Sequence, residues 1–470
     1  MVPVALHRSS PQLGLAVFFL LCIVPTAAVV GWCVAWRLPW HAGSEAAGLG
    51  RELGLTVALQ GLRHPRPGTI VYEGLVLSDP ESGRWILRCR RLEAAWTTIA
   101  SAGAAPGRAA AGRAPRPAIV LTAAAVEIDA DGCDRLEQLV ARYLQGQGGP
   151  GLELRLTADE VKLFDRERLW RLSGLEGGLG ALPCGVQAQA AFRLTGAAEP
   201  EGDSPIFAAS MPQKSGQSPG SEPVRVRVVR NRQVAPPAGG LELSTGRGEL
   251  PVALMAVGLP ELQRLGPACR FSGYGWANQG PDGWDGELTG QLLDLDLGQL
   301  LSQFGHRLTG TADLAIGRAK VHGGRLAEAA GTLTGAPGRI GGRLVDAVVE
   351  HLRMVRPPRA AGSADVLPYD YLALEFRLDW QGLRLAGRCP GAEPGTILLA
   401  AGGPLLSQPA GGPQPLAALV RALAPAGSAV LPASPQTDWL ARHLPLAEGQ
   451  GAPTAAAAIE PGPAPAQLTR

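Results

Sequence analysis

Paired carboxylates are the residues of this sequence whose spacing could support chemistry. Asp294 and Asp296 stand two apart, so on a strand both side chains point to one face. Such a pair could hold a divalent cation or divide the roles of general acid and general base. Leu293, Leu295 and Leu297 alternate with them. This alternation favours a solvated outer face of a half-buried strand, and an enzyme built on the pair is the less favoured alternative.

Two further motifs also fail the test of context. Asp129, Asp131 and Asp134 suggest a calcium loop, but Gly132 comes too early for the loop's sharp turn and no glutamate stands at the twelfth position. Helix capping explains these carboxylates better. Residues 146–151 match GxGxxG by letters. They follow a predicted helix and precede a predicted strand, which is the reverse of the dinucleotide-binding order.

Nucleophile and metal motifs are missing from the sequence. It contains no GxxxxGK[ST], HExxH or GxSxG, its seven histidines form no HxH or HxxxH pair, and its seven cysteines form no CxxC pair. Most of the cysteines are therefore expected to be buried, inert thiols. We predict a protein that is not an enzyme, with no catalytic residue, no cofactor and no metal site.

Composition narrows the fold and the partners. The 470 residues include 63 Gly and 41 Pro, and aromatic residues make up only 5%. These values indicate many turns between short strands, while a hydrophobic content of 46% is enough for a sizeable core. A net charge of +2 argues against a nucleic-acid partner, because binding to phosphates needs a basic face.

The short strands are clearest between Trp284 and Ile340, where Leu-Thr-Gly recurs three times. From Leu308 to Ile316, apolar and small residues alternate with polar ones, which predicts one half-buried strand. Gly323 and Gly324 then supply the positive φ of a tight hairpin turn. We therefore predict a mainly β protein with a meander of antiparallel strands that is apolar on one face.

An apolar run at residues 13–36, after a short tail at 1–12, has the length of a transmembrane helix. Tryptophans mark its far end, as is typical of a membrane interface. A cleaved signal peptide with an apolar core at 13–24 is the alternative. The short amino tail favours a cytoplasmic N-terminus with the body outside.

Two β-rich modules follow in the sequence. We predict the first at 45–198, with an amphipathic helix at 132–145, and the second at 224–405, with an amphipathic helix at 342–355. Residues 199–223, rich in Pro, Gly and Ser, form the predicted loop or linker between them. Residues 406–470 are expected to contain short helices and a disordered Ala/Pro-rich tail.

Within the first module, residues 152–156 and 161–163 alternate on either side of Ala158 and Asp159. The small and polar pair predicts the turn of a hairpin at this point.

One family combines a single amino-terminal span with such strands. Residues 73–80 (EGLVLSDP), together with Gly286–Gly290, Leu308–Gly310 and Gly331–Gly335, resemble the AsmA-like envelope proteins, relatives of TamB and of the chorein-type lipid-transfer proteins. The resemblance implies a long antiparallel sheet curved into a trough, the β-taco type, that shields acyl chains on its apolar side. It brings no catalytic residue.

Function follows from this resemblance as an expectation. The chain would be a single-pass inner-membrane protein with its body on the periplasmic side, binding or conducting phospholipid or another acyl lipid and supporting outer-membrane or envelope biogenesis with protein partners. The alternative is an assembly module that docks a protein and holds no lipid. The residues predicted to line the lipid groove are Leu308, Leu314, Ile316, Val321, Leu333, Leu372, Leu374, Phe376 and Leu378.

Overall fold

The structure is a computed structural model that describes residues 39–99, 116–146, 153–165, 168–182, 184–198, 222–235, 237–256, 259–357, 365–424 and 435–444, with a few isolated positions before residue 39. Strands make up 56% of it, and helices are few. The mainly β prediction is therefore confirmed. The predicted tail at 1–12, most of the predicted anchor at 13–36 and the end of the chain from 445 lie outside these residues.

None of the helices among the described residues combines the length and the hydropathy that a membrane span requires.

The chain divides into two compact units. The amino-terminal unit contains residues up to 263 together with 270–281, and the carboxy-terminal unit contains 264–269 together with the residues from 282 onward. The predicted linker at 199–223 lies outside the described residues except for its last two positions. Strands on both sides of it belong to the amino-terminal unit, so the division falls between 263 and 282.

The amino-terminal unit consists of twelve described strands and three short helices. The strands are β1 (Thr56–Ala58), β2 (Gly61–Arg66), β3 (Thr69–Ser78), β4 (Trp85–Ile99), β5 (Arg116–Asp129), β6 (Glu153–Asp165), β7 (Arg168–Leu182), β8 (Gly185–Ala198), β9 (Val224–Asn231), β10 (Ala238–Ser244), β11 (Leu250–Pro251) and β12 (Arg270–Gly280). The helices are α1 (Pro39–Leu53), α2 (Cys133–Gln145) and α3 (Val252–Met255). Turns of 3-10 helix occupy Ala130–Gly132 and Pro260–Leu265.

These strands form a sheet that follows the order of the chain. β1 and β2 pair with the two halves of β3. The sheet continues through β4 to β10, and β10 pairs with β12, the last strand of this unit, which β11 also joins. Every pairing is antiparallel except that of β5 with β6, which is parallel. A parallel neighbour needs a crossover, and α2 provides it. The prediction of a purely antiparallel sheet is therefore wrong at this pair.

The parallel pair also corrects a predicted hairpin. Ala158 and Asp159 were expected to form a turn, yet they lie inside β6, where Ala158 pairs with Ala123 and with Leu175. Ala158 is buried at this position. Its small side chain is explained by packing on the sheet and not by a turn.

The carboxy-terminal unit contains the remaining elements. Its strands are β13 (Gly283–Asp296), β14 (Leu308–Thr309), β15 (Thr311–His322), β16 (Arg325–Gly335), β17 (Gly338–Gly341), β18 (Val366–Tyr369), β19 (Tyr371–Asp379), β20 (Gly382–Gly387), β21 (Thr396–Ala400) and β22 (Gly403–Ser407). Its helices are α4 (Leu297–Ser302), α5 (Gly342–Leu352), α6 (Leu416–Leu423) and α7 (Pro435–His443).

Two sheets organise this unit. The larger one has the antiparallel order β13, β15, β16, β19, with β20 and β21 pairing with different parts of β19 and β22 pairing with β21. The smaller one consists of β14, β17 and β18. Gly323 and Gly324 join β15 to β16 with φ of 57° and 76°, which confirms the predicted turn.

The two sheets separate at Gly310. Its φ of 122° interrupts the strand predicted from Leu308 to Ile316. Leu308 and Thr309 therefore pair with β17 in the smaller sheet, while β15 starts at Thr311 and pairs with β13 and β16. A backbone with this φ is open to glycine and strained for other residues.

Candidate functional site

Eight of the nine predicted groove residues share one face of the larger carboxy-terminal sheet. Leu314, Leu333 and Leu374 lie directly opposite one another on three neighbouring strands. Ile316 and Phe376 face each other across Gly331 in the next row. Leu308 is the exception, because it belongs to the smaller sheet, where it is buried.

The opposite face of the same sheet is polar. Arg318 pairs with Glu287 at 2.9 Å and Arg377 pairs with Glu328 at 3.4 Å, in both cases across neighbouring strands. These pairs are largely open to solvent, so each stabilises the fold little. They show that one face of this sheet is charged, while the other is apolar.

Part of the apolar face is covered by the chain itself. The row formed by Leu295, Ala312 and Leu372 is buried, and so is Leu378 at the other end of β19. Leu314, Leu333 and the other groove residues between them are only half-buried. Helix α6 contacts β20 and helix α7 contacts β16.

The buried His306 side chain lies at the carboxy-terminal end of helix α6. Hydrogen bonding to the main chain at Ala422, Leu423 and Ala424 favours the protonated form of His306, but burial outweighs it and lowers the pKa of the imidazole. Its Nε2 atom is buried without a hydrogen-bond partner among the described residues. His306 is thus held in its neutral form as a packing residue of this unit.

The amino-terminal unit has a more extensive apolar face. Its core is centred on Ile86, Val126 and Val161, all buried, and Leu136 and Leu139 of α2 pack against it. Helix α2 is anchored at both ends of its length, since Arg135 pairs with Asp79 at 3.2 Å and Arg142 donates to the Leu53 carbonyl at 2.9 Å. The helices therefore cover one portion of this face.

A second set of apolar residues on these strands carries no buried side chain. Eight residues lie opposite one another across eight strands, and we call them the open row. They are Trp96, Ile119, Leu154, Leu179, Ala188, Val228, Leu241 and Ala277. All eight are half-buried or exposed, with Trp96 at 47% and Leu241 at 39%.

A second row runs beside the open row, two residues along each strand. It contains Ala94, Leu121, Leu156, Gly177, Ala190, Val226, Leu243 and Gly275. Strands stand about 4.8 Å apart, so eight of them span roughly 34 Å. Two apolar rows of this width form a continuous strip, and contiguous apolar surface of this kind marks an interaction site.

Sequence reasoning did not find this strip. The strands that carry it alternate cleanly, but only their register across the sheet shows that the apolar residues align in rows. One signal was available in β9, whose sequence VRVRVVRN places Arg230 at a position that strict alternation reserves for an apolar residue.

The acidic residues considered for chemistry have structural roles. The Asp296 carboxylate accepts hydrogen bonds from the backbone N–H groups of Gly298 and Gln299, at 2.8 and 3.0 Å, and so caps α4. Asp294 lies in a bulge with φ of 56°, and its N–H donates to Asp313. The described residues contain no group of three or more side chains that could hold a metal ion.

Two further predictions concern helix α2 and the cysteine thiols. Asp129 pairs with Arg84 at 3.2 Å, and the residue before the first turn of α2 is Gly132 and not an aspartate. The side chains of Asp131 and Asp134 lie outside the described part of the chain. Burial raises the pKa of the Cys89 and Cys389 thiols, which donate to main-chain carbonyls. These two cysteines are therefore unreactive core residues. Residues 147–151 of the GxGxxG match lie outside the described residues.

The face of the sheets, and not a cluster of polar groups, is thus the candidate site. No family model matches this sequence, and no curated protein or solved structure is significantly similar to it.

Proposed function

We propose that this chain is a non-enzymatic, membrane-anchored envelope protein of the AsmA-like type, which binds or conducts lipid acyl chains on the apolar faces of its sheets. In this proposal each sheet curves into a trough, and the protein supports outer-membrane or envelope biogenesis. The observation that carries the proposal is the open row: eight aligned positions, all apolar, none of them buried by the described chain.

The physical reason is the cost of wetting such a surface. Apolar surface removed from water contributes about 25 cal/mol per Å². An extended acyl chain laid along the open row would cover several side chains at once without needing specific polar contacts. The opposite faces of the sheets are charged and stay in water, which suits a protein that binds lipid on one face only.

Extraction of lipid from the purified full-length chain tests the proposal. We expect mass spectrometry to find enriched acyl lipid in the wild-type protein. Val228 and Val229 provide a matched pair, because these neighbours on β9 are both half-buried but face opposite sides of the sheet. Val228→Glu places a charge in the open row and is expected to reduce bound lipid about tenfold, since an unpaired charge is costly in an apolar site. Val229→Glu should leave it unchanged. Equal lipid in both variants, or none in the wild type, rejects the proposal.

Localisation is a separate part of the proposal. Residues 13–36 would anchor the protein in the inner membrane, with the N-terminus in the cytoplasm and the body in the periplasm. The length and hydropathy of that run support this. Protease added to intact spheroplasts should digest the body, and a body protected from protease would reverse the orientation.

A second function, a protein-docking assembly module without lipid, is favoured by the carboxy-terminal unit. Its apolar face is already partly covered, with Leu295, Ala312 and Leu372 buried. Under this alternative the lipid extract contains no enriched acyl lipid, and chemical cross-linking in cells captures an envelope protein on the half-buried part of that face, at Leu314 and Leu333.

A further inference from the structure

Strand β9 places a cation at the end of the apolar strip. Val224, Val226 and Val228 share the apolar face, and the pairing of β9 with both neighbours has no register shift, so Arg230 points to that face as well. Arg225 and Arg227 point to the polar face. Arg230 is therefore the arginine of β9 that breaks the alternation, next to Val228 of the open row.

The two residues paired with Arg230 carry no carboxylate. Directly opposite it stand Val186, which is buried, and Gly239, which has no side chain. Arg230 is half-buried, and within the described ranges its guanidinium makes no hydrogen bond or ion pair. Arg232, two positions on, differs in this respect, because it donates to the carbonyl oxygens of Tyr143 and Leu144 at 2.8 and 3.0 Å.

Gly239 leaves room beside this cation. A Cβ atom built at Gly239 would meet only the side chain of Gln279, at 3.5 Å from its Oε1 atom. Gln279 pairs with Gly239 on the next strand, so its amide lies in the same row as the Arg230 guanidinium. The Arg230 guanidinium thus lies beside a position without a side chain, immediately beyond the open row.

We propose that Arg230 binds the anionic head group of an amphiphile whose acyl chain lies along the open row. The head group is a carboxylate or a phosphate, since either accepts two parallel hydrogen bonds from the planar guanidinium. This inference rests on the proposed function and adds to it the class of ligand and the end at which the head group lies.

Equilibrium dialysis of the full-length chain with three probes tests the inference. Oleate carries a carboxylate, oleoyl lysophosphatidate a phosphate, and mono-oleoylglycerol the same chain without charge. Arg230→Gln is expected to weaken binding of the anionic probes about tenfold, because hydrogen bonds to charged groups are the strong ones, and to leave the neutral probe unaffected. The anionic probe that binds the wild type more tightly identifies the head group.

Two variants control this experiment. Arg227→Gln removes the same charge from the polar face of the same strand, where Arg227 bonds to Gln187 at 3.3 Å, and should leave all three affinities unchanged. Arg230→Lys keeps the charge and should restore part of the lost affinity.

The results separate the two proposals. If all three probes bind and Arg230→Gln weakens none of them, the head-group assignment is wrong while lipid binding stands. If none of the probes binds the wild type, both fall.

Discussion

Tyr369 and Thr309 are joined across the smaller sheet by a hydrogen bond of 2.7 Å from the tyrosine hydroxyl to the main-chain carbonyl. The Tyr369 side chain is 1% exposed, and burial raises the pKa of its hydroxyl. Strand β14 is only two residues long, so this bond adds a side-chain donor where the ladder is short.

Replacement of Tyr369 by phenylalanine should therefore destabilise the carboxy-terminal unit. The buried Tyr369 side chain would lose its hydroxyl and the Thr309 carbonyl would lose this donor, so the free energy of unfolding is expected to fall by about 1 kcal/mol. Urea denaturation followed by tryptophan fluorescence measures the change. Tyr274→Phe is the control, because that exposed hydroxyl lies 3.2 Å from Glu242 and its loss should matter little. Equal effects of the two variants would contradict the role assigned to Tyr369.

Asp296 should behave as a helix cap and not as a chemical group. Asp296→Ala removes the acceptor of two N–H groups at the start of α4 and is expected to cost about 0.5–2 kcal/mol of stability. Asp294→Asn should be neutral, since asparagine tolerates positive φ well. Thermal unfolding followed by circular dichroism gives both values. A larger loss for Asp294→Asn than for Asp296→Ala would reverse the two roles.

His306 should make the stability of the protein depend on pH. Its pKa is lowered in the folded state, chiefly by burial, so the unfolded chain takes up a proton first as the pH falls. The stability contributed by the neutral imidazole is present above the unfolded pKa, about 6.5, and is lost as the pH falls toward the folded pKa. His306→Gln is expected to flatten this dependence in urea midpoints measured from pH 7.5 to 5.

The control for this experiment is His322→Gln, since His322 lies on the exposed hairpin beside Asp285 at 2.7 Å. The His322→Gln variant should therefore lose stability in acid as the wild type does, because His306 is still present. An unchanged pH profile in His306→Gln would show that other groups govern this range.

Arg232 should hold α2 on the sheet. Its guanidinium donates to the carbonyl oxygens of Tyr143 and Leu144, at the negative end of the helix dipole. Arg232→Ala is expected to cost about 1–2 kcal/mol and to speed hydrogen exchange along the last turn of α2. Arg225→Ala, on the polar face of the same strand, should leave both unchanged. Unaltered exchange in α2 would show that Leu136 and Leu139 alone are sufficient.

Local periodicity predicted individual elements well. The predicted helices at 132–145 and 342–355 correspond to Cys133–Gln145 and Gly342–Leu352. Periodicity reports which face of an element is apolar, and that information is local. It therefore placed eight of the nine groove residues on one face.

Pairing between distant strands could not be predicted in the same way. The break at Gly310 moved Leu308 into another sheet, although its side chain fits the alternation of β15. The open row was missed because it depends on the register of eight strands. The sequence shows Arg230 as a break in the alternation of β9. Its proposed role in binding depends on the residues paired with it, Val186 and Gly239, which the sequence does not show.

The parallel pairing of β5 with β6 has a consequence for how the chain reaches this fold. Antiparallel strands joined by tight turns can pair as soon as both have been synthesised. Strand β6 can pair with β5 only after the long segment between them has closed as a loop. We expect the amino-terminal unit to assemble as two early hairpin blocks, before and after α2, that merge last along this seam. Pulse-labelled amides of β5 and β6 that bond to each other should then gain protection later than those that bond to β4 and β7.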